Sequence, residues 1–213
     1  MKDQPPAFDQ GFCERLEQLL VWRRDVRRFR TESVDEGAFE TALRAFDLAP
    51  SVGNSQPWRL VLVESEKART VVRTSFARCN AAALEATEPE KADLYARLKL
   101  EGLREAPIQL AVFCDAEPEQ GHGLGRRTMP ETLAYSAAGA VAMFLLFARA
   151  HGIGVGWVSI LEPETVTKAL DVPANWTLVA YLCIGYPEQE DDVPELERVG
   201  WQARREEQSI LRR

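Results

Sequence analysis

Residues 132–148, TLAYSAAGAVAMFLLFA, form the most apolar stretch of the chain and lie between Glu131 and Arg149. A membrane-spanning helix needs about 20 apolar residues, and this run is shorter. Its small residues (Ala134, Ser136, Ala137, Ala138, Gly139, Ala140 and Ala142) allow close helix approach, so it reads as a buried helix of a soluble protein. A helix apolar all round needs cover on every side. A 213-residue chain struggles to supply that cover alone. It is either the central core helix of one domain or a helix shared with a second subunit, and the homodimer is the favoured reading.

The length fits a single domain spanning 1–213, with an N-terminal helix at about 8–22 and a C-terminal arm at about 194–213. A formal charge of −7 argues against general nucleic-acid binding, which relies on neutralising phosphates. The N-terminus, MKDQPPAFDQGF, is polar and has no apolar core of a signal peptide. Cys13, Cys79, Cys114 and Cys183 are far apart and form no CxxC pair, which fits a reducing cytoplasm rather than a disulfide scaffold. Only two histidines, His122 and His151, are present, so no metal centre is expected. A cytoplasmic protein, without membrane or nucleic-acid partners, is the expectation.

Phe8, Phe12, Leu16, Leu19 and Leu20 recur at helical spacing and define the first helix. Ser33-Val34-Asp35-Glu36 has a capping-box pattern and announces a second, which must stop near residues 48–49 before Pro50. A short β-like run follows at 60–63, then helices at about 66–84 and 90–104. IQLAVFC at 108–114 and TLVAYLCIG at 177–185 are continuous apolar runs, as in strands buried on both faces. Thr128-Met129-Pro130-Glu131 predicts an N-cap opening the long apolar helix to Ala150. A short helix is expected near 163–170. Strands interleaved with more abundant helices give an α+β or α/β fold.

The densest chemical signal is Trp22-Arg23-Arg24-Asp25-Val26-Arg27-Arg28-Phe29-Arg30, five arginines around one aspartate. The guanidinium fork suits phosphate, because it donates parallel hydrogen bonds and keeps its charge. In an extended segment Arg23, Asp25 and Arg27 share one face, and Arg24, Val26 and Arg28 the other. The same residues could also be a solvated helix end, where cations are favoured. A second loop, Ala49-Pro50-Ser51-Val52-Gly53-Asn54-Ser55-Gln56-Pro57-Trp58, offers polar groups suited to the edge of a planar heterocycle, or is an ordinary turn. A third motif, Gly152-Ile153-Gly154-Val155-Gly156-Trp157-Val158-Ser159, follows a helix and so fails as a dinucleotide fingerprint. Ser159 lacks the GxSxG context of a hydrolase nucleophile.

Taken in order, these three motifs resemble the nitroreductase superfamily. Generic members carry serine where this chain has Asp25. That change, with Leu98-Lys99-Leu100-Glu101-Gly102, Glu105-Ala106-Pro107, Leu124-Gly125-Arg126 and Gly200-Trp201, resembles the flavin-destructase branch, the 5,6-dimethylbenzimidazole synthases. The likeness runs from about residue 20 to 204. It implies an α+β fold, with a mixed sheet surrounded by helices in an intertwined homodimer that holds FMN at the subunit interface. It further implies that reduced FMN is the substrate, fragmented with O2 to dimethylbenzimidazole, the lower ligand of cobalamin, and a four-carbon sugar phosphate. A separate flavin reductase would supply the reduced FMN.

By position, Arg23 and Arg27 would grip phosphate and ribityl groups, with Arg24 and Val26 in the same segment and Arg204 as a third contact. Ser51, Gly53 and Gln56 would lie near the ring. Residues 98–103 would form a lid, with Leu100 facing the flavin. Residue chemistry agrees: breaking the ribityl chain requires proton transfers, which a placed carboxylate performs. Asp25, the only acid in the cluster, is the expected base or strong acceptor. Ser159 is the expected donor to a ring nitrogen or an oxygen. An NAD(P)H-dependent, FMN-containing nitroreductase and a non-catalytic flavin carrier remain as alternatives.

Overall fold

The computed structural model describes residues 6–205 and 209–213. Two apolar strands, β2 (Ile108–Asp115) and β4 (Trp176–Gly185), pair at the centre of the sheet. Leu110, Val112, Leu182 and Ile184 enter one core layer, while Ala111, Phe113, Tyr181 and Cys183 enter the other. This two-faced burial is why both strands read as unbroken apolar runs. β1 (Trp58–Leu62) and β3 (Gly154–Val158) flank them in the order β1-β2-β4-β3. Among the described residues all three ladders are antiparallel, and the parallel part of the expected mixed sheet is one isolated bridge from Asp25 to Val155.

One face of the sheet is covered by α5 (Thr132–Ala150) and α2 (Glu36–Leu48), whose Phe144 and Phe46 stack with centroids 5.4 Å apart. The other carries α3 (Glu66–Glu85) and α6 (Pro163–Leu170), with Phe29 and Leu103 filling the layer between them and the sheet. α4 (Pro89–Arg97) leans on α3, where the Tyr95 hydroxyl donates to Asn80 Oδ1 at 2.8 Å. α1 (Gln10–Trp22) crosses near α5, and a short α7 (Glu195–Arg198) opens the C-terminal arm. The molecule is an α+β fold of the expected kind.

Several boundaries differ from the sequence expectation. α2 is capped by Asp35, which accepts from the Ala38 amide at 2.8 Å, not by Ser33. α5 begins at Thr132, because the Thr128 hydroxyl points backwards and donates to the Gly125 carbonyl instead of capping. The helix expected over 90–104 ends at Arg97. Beyond it the Glu101 carboxylate accepts the Leu103 amide and Gly102 lies flat on Phe29, turning the chain down into the core. α5 is long and apolar enough to cross a membrane by length and composition, yet it packs on the sheet through Ala137, Ala140, Val141, Phe144 and Ala148. The cover on every side is not supplied within one chain. Only 33% of its most apolar window is buried, and Tyr135 is 62% exposed.

Candidate active site

Residues 23–28 leave α1 as an extended segment laid along β3, and the glycines of β3 make room for it. A methyl group on Gly156 would collide with the Val26 carbonyl, and one on Gly154 would press the Val26 side chain at 2.9 Å. The Val26 amide donates to the Val155 carbonyl at 3.0 Å, which fixes Asp25 beside the strand. Asp25 Oδ1 accepts from the Trp157 amide at 2.8 Å and Oδ2 accepts from Arg27 Nε at 2.9 Å. The carboxylate is oriented by both bonds yet remains 39% exposed. Ser159 stands exposed one residue beyond the end of β3, so the two expected catalytic side chains share one strand end.

A cleft of about 210 Å³ opens between this segment and the arm, lined by six arginines and three acids. Arg27 pairs with Asp25, Arg28 with Glu195 at 2.6 Å, and Arg198 with Asp191 at 2.9 Å. Arg23, Arg24 and Arg204 have no such ion pair among the described residues. Arg24 lies where the solvated-helix-end reading put it, donating to the Val21 carbonyl at the end of α1, but its Nε is buried without a partner. Burial, then repulsion from Arg23 and Arg204, pulls its guanidinium below the ordinary arginine range. Three mutually repelling cations around one cleft suit an incoming dianion. Arg27, expected with Arg23 to grip phosphate and ribityl groups, is bonded to Asp25 and, through Nη1, to the Lys99 carbonyl at 3.1 Å.

The second motif lies elsewhere. Ser51 Oγ accepts the Gln56 amide at 2.9 Å, bracing the loop, and the Val52 amide donates to Ser136 Oγ of α5 at 3.0 Å. Gly53 has φ +57°, and a Cβ there would meet the Gly121 and Leu124 carbonyls at 3.0 Å. Gln56 also has positive φ, and buried Ser55 keeps a hydroxyl without a partner. This loop feeds β1, at the opposite edge of the sheet from β3 and the cleft. Within one chain Ser51, Gly53 and Gln56 are therefore separate from Arg23, Asp25 and Arg204. Leu100 is half-buried and follows Lys99, whose carbonyl accepts from Arg27.

A nitroreductase family model matches residues 20–186. The chain belongs to the nitroreductase family. It is 60% identical over 200 residues to the 5,6-dimethylbenzimidazole synthase of Rhodospirillum rubrum, covering 94% of this chain and 95% of that one. A synthase of the same description from Rhodobacter capsulatus is 47% identical over 92% of this chain and 94% of its own length. Among solved structures, iodotyrosine deiodinase bound to FMN and 3-iodo-L-tyrosine superposes with a TM-score of 0.71 at 25% identity, over 92% of this chain and 97% of that one. A BluB-like flavoprotein of Clostridium difficile shares the fold, with a TM-score of 0.65 at 19% identity over 86% and 96% of the two chains.

Against the family pattern, sequence reading located the charged side chains and missed their main-chain partners. The Trp157 amide and the Lys99 carbonyl carry no residue-type signal, because every non-proline residue offers the same groups. Glu195 and Asp191 had a readable signal. The stretch from Glu188 to Glu197 is dense in acids and complements a five-arginine cluster, as the Arg28–Glu195 pair demonstrates.

Proposed function

We propose that this nitroreductase-family chain is a 5,6-dimethylbenzimidazole synthase, acting on reduced FMN and dioxygen and releasing a four-carbon sugar phosphate. The observation that carries the reading is the 60% identity, over nearly the whole chain, to the Rhodospirillum rubrum synthase. The charge of the cleft supports the reading. Arg23, Arg24 and Arg204, none of them in an ion pair among the described residues, offer positive charge for a terminal phosphate, and Arg27 is bonded to Lys99 of the lid. The reduced flavin supplies both the electrons for dioxygen and the carbon atoms of the product.

Asp25, held by the Trp157 amide and Arg27, would take a proton from the ribityl chain. Ser159 donates a hydrogen bond to a ring nitrogen or to oxygen from the same strand end. Residues 98–100, with Leu100 toward the ring by family resemblance, would exclude water from the flavin. Gly53 and Gln56 meet the ring only from a second copy, because in their own chain they belong to the opposite edge of the sheet. The functional unit is accordingly a homodimer, fed with reduced FMN by a separate flavin reductase in a reducing cytoplasm.

Incubation of the protein with reduced FMN in air, followed by mass spectrometry, tests the reading. Dimethylbenzimidazole is the expected product, and its absence overturns the assignment. Rapid bleaching of bound flavin by NADH would point instead to an NAD(P)H-dependent nitroreductase. Binding of FMN without consumption would point to a carrier.

A further inference from the structure

Gly200 and Trp201 have no part in the chemistry above, yet their geometry is specific. Gly200 follows α7 with φ +78°, and its amide donates to the Glu197 carbonyl at 3.0 Å while that of Trp201 donates to Leu196 at 2.8 Å. Nothing lies within 4 Å of a Cβ at Gly200, so the backbone conformation, not space, calls for glycine. The reversal delivers Trp201 onto α4. Its ring lies edge-on to Tyr95 with centroids 5.9 Å apart, and Lys91 Nζ stands 5.4 Å from the Trp201 ring. Tyr95 is only 9% exposed and is tied to α3 through Asn80, so Trp201 rests on a fixed platform.

Both ends of this contact lead to the cleft. Three residues beyond Trp201, Arg204 lines the cleft with Arg23 and Arg24. In the other direction α4 runs directly into residues 98–100, where Lys99 is bonded to Arg27. We propose that Trp201 is a positioning residue that joins Arg204 to the lid, so that a phosphate held at Arg204 seats residues 98–100 over the flavin. The inference rests on the proposed function only in taking a flavin phosphate as the occupant. It makes the phosphate more than a handle: a flavin without it binds but leaves the lid unseated.

Hydrogen exchange of amides 98–103 in the whole protein, with saturating oxidised FMN or riboflavin, tests this without turnover. FMN should slow exchange in the wild type, and riboflavin should not. In Trp201→Ala the FMN-induced protection should fall about five- to tenfold, as expected for loss of an aromatic pair, and Trp201→Phe should retain most of it. Arg204→Ala breaks the same link at an exposed position and should give the same loss at saturating FMN. Undiminished protection in both alanine variants overturns the inference, as does equal protection by riboflavin or no response to FMN in the wild type. Failure to form dimethylbenzimidazole would sink the proposed function and leave the exchange result standing.

Discussion

Both oxygens of Asp25 accept hydrogen bonds, from the Trp157 amide and from Arg27 Nε. An asparagine of the same shape places an N–H group against one of those donors and has no carboxylate to receive a proton. Asp25→Asn should bind FMN within about threefold of the wild type but lose roughly 10²–10⁴ in product formation, the usual worth of a placed acid or base. Ser159→Ala, removing one donor on the exposed strand end, should also bind FMN and form little product. Flavin fluorescence titration and mass-spectrometric yield check both, and full yield in Asp25→Asn removes the aspartate from the mechanism. These residues stand out in the sequence because their types are uncommon in their setting: one acid among five arginines, one hydroxyl after a glycine-rich strand. The division of labour among the arginines does not. It depends on which carboxylate or carbonyl the fold brings near each fork, so Arg27 and Arg24 could be told from Arg23 only in three dimensions.

At the level of elements, continuous apolarity located β2 and β4 within two residues, because burial on both faces leaves no alternation to misread. Helix ends were less legible, since Ser33 and Thr128 have the right chemistry for caps and the wrong backbone position. The glycine motif Gly152–Gly156 fails as a dinucleotide loop, and its Gly154 and Gly156 admit the close approach of the Asp25 segment. Gly156→Ala should therefore fold with its sheet intact yet displace Val26 and Asp25, lowering product yield about as far as Asp25→Asn. Circular dichroism with the same yield assay checks it, and wild-type yield would show that the track tolerates a methyl group.

A second element-scale outcome concerns the end of α5, where Arg149 donates to both oxygens of Glu190 at 2.6 and 3.0 Å. Those hydrogen bonds hold the Glu190 carboxyl below its ordinary value of 4.5. A carboxyl depressed in the folded state stabilises fully above its unfolded value and stops doing so as pH falls through the folded one. Glu190 is 51% exposed, so the effect is small. The melting temperature of Glu190→Gln should sit slightly below wild type near neutral pH, and the gap should close in acid below the ordinary carboxylate range. A gap that persists there would rule out the ion pair as its origin.

For the whole molecule, the apolar segment of residues 132–148 poses a demand that one chain leaves unmet. Its inner stripe, Ala137, Ala140, Val141, Phe144 and Ala148, is buried, while Tyr135 is 62% exposed and a Cβ on Gly139 would have nothing within 4 Å. α1 adds to the open surface: it buries none of its residues, and Phe12, Leu16 and Leu20 are 39%, 41% and 50% exposed. Contiguous exposed apolar surface of this kind marks an interface. The split site makes the same demand independently, since the 51–56 loop and the arginine cleft stand at opposite edges of one sheet. On the proposed function a second copy would answer both, covering α1 and α5 while bringing Gly53 and Gln56 to the cleft. Gly139→Glu separates this from a purely structural effect. The open space around Gly139 admits the side chain within one chain, and glutamate is a better helix former than glycine by roughly 0.5–1 kcal/mol. The variant should therefore fold with unimpaired helix content but place a charge in the proposed interface. Sedimentation should show a dimer for the wild type and a monomer for the variant, with FMN affinity and product yield falling together. A Gly139→Glu monomer that still turns over reduced FMN at the wild-type rate would mean that one chain holds a complete site, against the geometry of the sheet.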